Sequence, residues 1–190
     1  QPEVVARLKE MLHDWREEVD AKMPYPKTAT SKPAPGSRVA KPGKLSNADK
    51  NRLPLDVEKF APGWKVKNWG GPGMKPGLRK NFMGRSNVLL THPKSKDVPC
   101  VLFRTLKVPV GKKSSLRFSV NNHPQGDWTL IVRIDGAEVL QESIGESKWQ
   151  AFSVDITRHA GKTINIELVN RASEWSFEAA YWHQIELVEE

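Results

Sequence analysis

From Leu53 onward the chain alternates apolar and polar residues in short runs, and a period of two leaves few folds open. Cys100–Val108, Ser115–Val120, Trp128–Ile134, Val139–Ser143, Trp149–Ile156, Thr163–Val169 and Tyr181–Val188 read as strands, with a weaker one at Ser86–Leu90. Leu116, Phe118 and Val120 share one face, as do Leu130, Val132 and Ile134, then Phe152, Val154 and Ile156, then Ile164, Ile166 and Leu168. Each strand therefore offers one apolar face to a core. Asp135-Gly136 supplies the positive φ angles of a tight hairpin, so its flanking strands are predicted to be antiparallel neighbours. With no convincing helix among them, about eight strands predict a mainly β domain, an antiparallel jelly-roll β-sandwich over residues 53–190. Such a domain buries roughly 68% of its unfolded surface and folds without staples. The single cysteine, Cys100, excludes an internal disulfide, and its neighbours Val101 and Phe103 suggest a buried thiol.

The first 52 residues follow other rules. Val4, Val5, Leu8, Met11, Leu12, Trp15 and Val19 recur at helical spacing, with Glu10, Arg16, Glu17 and Glu18 on the other face, which predicts an amphipathic helix over residues 1–22. Its apolar stripe needs a partner. Residues 23–52 offer none: Pro24-Tyr25-Pro26, Lys32-Pro33-Ala34-Pro35-Gly36 and Lys41-Pro42-Gly43 make a basic, Pro-rich tether. The chain thus reads as the end of a larger protein, its role auxiliary to a part that lies outside it. Of the net charge of +8, the tether holds most of the surplus. A basic, structureless spacer without a helix-turn-helix, zinc-finger or RNA-recognition signature argues against nucleic acid as partner. No apolar run reaches the ~18 residues of a membrane span.

Most catalytic chemistry finds no footing. His13, His92, His123, His159 and His183 lie at no metal-ligand spacing, and no phosphate loop or nucleophile elbow occurs. Asp135, Asp155, Glu167 and Glu186 raise the question of paired carboxylates, but nothing in the sequence brings any two of them together, and solvent-facing positions on the polar side of a sandwich are the reading preferred. Two stretches suggest sugar binding. Trp64, Trp69 and Phe82 lie among Lys59, Lys65, Lys67, Lys75, Arg79, Lys80 and Arg85, so indole faces would stack on sugar rings while cations, Lys65 and Lys67 among them, pair with sulfate or carboxylate. The plainer reading has Trp64 and Trp69 plugging the sandwich end. The second stretch is the turn from Asn121 to Trp128, where Asn122, His123 and Asp127 are candidates, together with Trp175 in Ser173-Glu174-Trp175. Tight turns use the same residues, and a Trp opening a strand is commonly core.

Leu12-His13-Asp14-Trp15-Arg16-Glu17-Glu18, followed by Ala21-Lys22-Met23-Pro24-Tyr25-Pro26, resembles the C-terminal helix and exit of secreted bacterial, planctomycete-type sulfatases. Gly126-Asp127-Trp128, Ile134-Asp135-Gly136, Val154-Asp155-Ile156 and Trp175…Phe177-Glu178…Tyr181-Trp182 make residues 53–190 similar to galactose-binding-like jelly-roll modules appended to such enzymes. The sulfatase resemblance implies a formylglycine made from a Cys/Ser-x-Pro-x-Arg motif. Ser31-Lys32-Pro33-Ala34-Pro35 lacks the Arg, and Cys100-Val101-Leu102-Phe103-Arg104 has Leu102 in place of Pro. The family's calcium-holding Asp/Asn cluster is missing too. The expectation is a non-catalytic, carbohydrate-binding module of an exported sulfatase, periplasmic or extracellular, that targets the enzyme to polysaccharide, sulfated given the basic stretch. The alternative is a structural or assembly module packed on the catalytic domain. No cofactor is expected, and a structural calcium in a sandwich loop is left open.

Overall fold

The computed structural model describes residues 47–70 and 75–190, with side chains from Arg52 onward. The helix expected over 1–22 and the tether as far as residue 46 lie outside the described residues. One helix, α1 (Asn47–Phe60), precedes ten strands: β1 (Lys65–Lys67), β2 (Gly77–Phe82), β3 (Arg85–Thr91), β4 (Cys100–Lys107), β5 (Ser114–Asn122), β6 (Trp128–Ile134), β7 (Ala137–Ile144), β8 (Gln150–Asp155), β9 (Thr163–Arg171) and β10 (Ala180–Glu189). They form two antiparallel five-stranded sheets, in the orders β1-β4-β9-β6-β7 and β2-β3-β10-β5-β8.

This order is a jelly roll. The pairs β3·β10, β4·β9, β5·β8 and β6·β7 nest inside one another, as if one long hairpin had been rolled up so that alternate pairs fall in opposite sheets. The hairpin at the centre of the roll is the expected one: Asp135 (φ 50°) and Gly136 (φ 81°) turn the chain, and Ile134 faces Ala137. Period-two alternation sends Leu116, Phe118, Val120, Leu130, Val132, Ile134, Val154, Ile164, Ile166 and Leu168 into the space between the sheets. Trp128 and Trp182 meet there with ring centroids 5.3 Å apart, both 0% exposed. Each indole N–H has a partner, Trp128 donating to the Asn121 carbonyl (3.1 Å) and Trp182 to the Thr91 hydroxyl (2.8 Å). Buried indoles without such partners would lose the hydrogen bonds they make to water.

Three elements differ from the sequence expectation. Strands β1 and β2 add to the eight, and α1 starts at Asn47, inside the stretch read as tether, and runs into the domain. Leu53, Val57 and Ala61 fall at i, i+4 and i+8 on one helix face, and all three are buried against the sandwich with Trp64. Pro54 and the exposed Leu55 obscure that stripe in the sequence. The helix is tied down by Asp56, whose carboxylate accepts from the Leu78 amide of β2 (3.2 Å). It ends at Phe60, and in the turn that follows Gly63 takes φ +83° and donates its amide to the Glu58 carboxylate (3.2 Å to one oxygen).

A second apolar layer lies on the outer face of the β2-β3-β10-β5-β8 sheet. Val88, Leu90, Ala179 and Tyr181 form it, and the β2–β3 hairpin curls over them so that Phe82 lies flat on Tyr181, centroids 3.5 Å apart. The tip is fastened across the sheet. Trp149 donates its indole N–H to the Met83 carbonyl (3.1 Å), and Arg85 sits over the Trp149 ring (4.9 Å) while donating to Nδ1 of His183 (2.9 Å).

Candidate functional site at the loop end of the sandwich

Strands β3, β5 and β9 end, and β4, β6 and β10 begin, at one end of the sandwich, which gathers the loops of residues 92–99, 123–127 and 172–179. Two of these loops are the polar turns singled out in the sequence, and the fold brings them into contact. Gly126 has no room for a side chain: a Cβ there would lie 2.5 Å from the Phe177 carbonyl oxygen. Ser173 donates its hydroxyl to Asp127 (2.5 Å), and the His123 ring stacks on Phe177 at 4.5 Å.

The 172–179 loop is built around a carboxylate. Glu178 is 1% exposed, and its oxygens accept backbone N–H groups from Ser173 (3.0 Å), Glu174 (3.1 Å) and Ser176 (3.4 Å). One buried anion thus satisfies amides that no strand pairs, and a loop held in this way presents its outward side chains in a fixed arrangement. Those side chains are Trp175 and Phe177, 38% and 46% exposed, the two aromatic rings among the described residues that lie most open to solvent. His92 sets its ring edge-on to Trp175 at 5.5 Å, and its Nδ1 donates to the Pro93 carbonyl (2.9 Å), which leaves Nε2 as an acceptor. Phe177 takes φ 59°, a strained backbone for a bulky residue, so the contact with Gly126 and the Glu178 network hold it there.

The other expected site residues are placed differently. Trp64 is 2% exposed inside the core, so it has no face to offer a sugar; that expectation is corrected, and the plug reading fits its position. Trp69 is half-buried, bridges to Pro93 and packs on the core edge. Lys65 is exposed on β1, while Lys67 pairs with Glu167 (2.8 Å) and lies over the Phe103 ring (5.3 Å). Asn122 is 1% exposed, and its amide is spent on the chain itself: it donates to the carbonyls of His123 (2.8 Å) and Gly126 (2.5 Å) and accepts from the Ser147 amide (2.8 Å). It shapes the turn and presents nothing outward, a second correction. His123, Asp127 and Trp175 remain at the surface of one site. Phe177, His92 and Glu178 were missed, although a Trp and a Phe two residues apart in a Ser- and Glu-rich turn is itself an unusual signal for exposure.

The suspected carboxylates have local duties. Asp135 accepts from the Asn165 amide (2.8 Å), Asp155 from the Thr157 amide (2.8 Å), and Glu167 holds Lys67. Among the described residues no group of three His, Cys, Asp or Glu side chains is arranged to hold a metal ion. Cys100 is 1% exposed, and burial pushes its thiol up to about 12, which keeps it inert.

Two expected results follow from this geometry. Gly126→Ala should displace the 172–179 loop while leaving the sandwich intact, visible as amide shifts confined to residues 123–127 and 172–179; an unchanged loop would contradict the contact. Burial, joined for His183 by the Arg85 charge, also holds His92, His123 and His183 below the usual histidine range. In the unfolded chain these rings titrate near 6.5, so below that pH the unfolded state binds more protons. Stability should therefore be full above about pH 6.5, fall as the pH drops from there towards the folded pKa values, and level off beneath them. A melting temperature that stays flat between pH 7.5 and 5 would refute this.

No family model and no curated protein matches the sequence. Several solved structures are similar in fold. The CBM22-1 xylan-binding domain of Paenibacillus barcinonensis Xyn10C is 12% identical over 68% of this chain and 86% of that one, with a TM-score of 0.48. The K3 cleaved adhesin domain of Lys-gingipain from Porphyromonas gingivalis W83 is 12% identical over 70% and 96%, TM-score 0.49. TmCBM61, solved with β-1,4-galactotriose, is 15% identical over 71% and 94%, TM-score 0.46. These are likenesses of architecture.

Proposed function

We propose that this chain is a non-catalytic module that binds polysaccharide at the loop end of its jelly roll, with Trp175 and Phe177 as stacking platforms and His123, Asp127 and Glu174 as polar neighbours. The observation that supports the reading is the pair of open aromatic rings on one loop, held by the buried Glu178 network. Sugar rings have apolar faces edged by hydroxyls, and the best complement is a rigid aromatic surface flanked by a few acceptors and donors. Because the charged groups beside these rings are carboxylates, the site suits neutral sugar units. The expected preference for sulfated glycan has to come from elsewhere on the module.

The wider setting is part of the same proposal. In it, the module is carried by an exported sulfatase, periplasmic or extracellular, and keeps the enzyme on its polysaccharide. That parentage rests on the resemblance of residues 12–26. Among the described residues, no helix is long and apolar enough to cross a membrane. The test is calorimetric titration of the chain with one soluble polysaccharide in sulfated and desulfated forms, at low and physiological salt. Saturable binding of the desulfated form supports the Trp175 site. Absence of binding to either form, with concentration-dependent association, favours the structural or assembly module instead.

A further inference from the structure

Far from Trp175, at the opposite end of the sandwich, two strand edges lie bare. Strand β4 pairs with β1 only as far as Phe103, and β10 pairs with β3 only as far as Trp182, so beyond those points each has a strand neighbour on one side alone among the described residues. A cleft of about 390 Å³ opens between them, walled by Arg104 to Lys107 on one side and Leu187 to Glu189 on the other, with Ser114 and Ile156 in its lining.

The chemistry of this cleft is that of an anion site. Arg104 and Lys107 make no ion pair within the described residues, whereas the one carboxylate on the walls, Glu189, is bonded to Lys112 (2.9 Å). The Arg104 side chain passes close by Gly63, where an added Cβ would lie 3.3 Å from its guanidinium. Ser114 adds an independent sign. It is 4% exposed, and its hydroxyl has no hydrogen-bond partner. Its backbone cannot move to find one, because its amide donates to the Thr157 hydroxyl (2.9 Å) and its carbonyl accepts from the Ile156 amide (2.9 Å). A hydroxyl orphaned in the wall of a cationic cleft is a donor waiting for an acceptor.

We infer that this cleft binds an oxyanion, the sulfate or carboxylate group of an acidic glycan, with Arg104 and Lys107 supplying charge and Ser114 a hydrogen bond. The hydroxyl oxygen is shielded from solvent, so it has to rotate about χ1 to meet the ligand. This site does not depend on the Trp175 site, and the two together would give one module a neutral and an anionic grip at opposite ends.

The experiment is a titration of the full chain with sodium sulfate, followed by amide chemical shifts against sodium chloride at matched ionic strength, and then with sulfated, carboxylated and desulfated polysaccharide. The expected result is saturable shifts centred on Lys107, Ser114, Ser115 and Val188 with sulfate, absent with chloride. They should weaken at least tenfold in Arg104→Gln/Lys107→Gln and several-fold in Ser114→Ala, the smaller change that decides if the double variant does not fold. Of the two acidic polysaccharides, the one that gives the same shifts identifies the group recognised. Trp175→Ala/Phe177→Ala should leave them in place, which separates this site from the first. Equal shifts with chloride, shifts spread over all surface lysines, or shifts unchanged in the variants would overturn the inference. A response to free sulfate with none to either acidic polysaccharide would overturn its glycan reading.

Discussion

Truncating Trp182 to alanine is expected to cost about 3–5 kcal/mol of unfolding free energy. The ring lies between the sheets at 0% exposure, tilted against Trp128 and 6.1 Å from Phe118, so its removal opens a cavity where both sheets contribute walls. The loss is also polar. Thr91 is itself 0% exposed, and its hydroxyl, which accepts the Trp182 N–H, also accepts from the Asn170 amide (3.3 Å). A domain of this size is stable by only about 5–15 kcal/mol, so the variant should sit near the edge of folding. Trp182→Phe keeps most of the packing and drops the hydrogen bond, and it should cost roughly 1–3 kcal/mol. Urea unfolding of both variants measures the difference. An alanine variant within 1 kcal/mol of the parent would mean that the packing described here is wrong.

The second large effect is on binding. Trp175→Ala/Phe177→Ala should lower affinity for the desulfated polysaccharide tenfold or more, with little change in melting temperature. The asymmetry comes from exposure: both rings already lie open to water, so truncation removes little from the folded core, whereas a ligand stacked on them would lose its largest contact. Phe177 carries a further twist, because alanine at φ 59° keeps the same backbone strain with less to hold it in place. Trp175→Phe, which keeps an aromatic face, should retain part of the affinity. Binding unchanged in the double variant, alongside an unchanged fold, would place the sugar site elsewhere.

The sandwich was legible in the sequence because its physics is local. A strand with one buried face shows its alternation within six residues, as Leu130, Val132 and Ile134 do, and Asp135-Gly136 declares its hairpin in two. The helix α1 was not legible, since Pro54 argues against it and only the packing of Leu53, Val57 and Trp64 on a finished sandwich stabilises it. The site was half legible. Turn residues such as His123 and Asp127 look the same whether they bind a ligand or close a loop, and it took the fold to set Asn122 to the second task and to leave Trp175 open to solvent. One partner of the basic stretch was illegible for a related reason: Glu167, about a hundred residues later in the chain, arrives on the strand beside β4 and takes Lys67.

The nested order of the strands bears on how the protein is made. Since β3 closes on β10 and β4 on β9, the inner pair β6·β7 can form as soon as it leaves the ribosome, while the outer pairs must wait for residues up to Glu189 to emerge. Until then the apolar edges of β3, β4 and β5 have no partner, and they are prone to associate with other unfinished chains. The module therefore closes in a single late step, once β10 has emerged, rather than strand by strand as the chain is made.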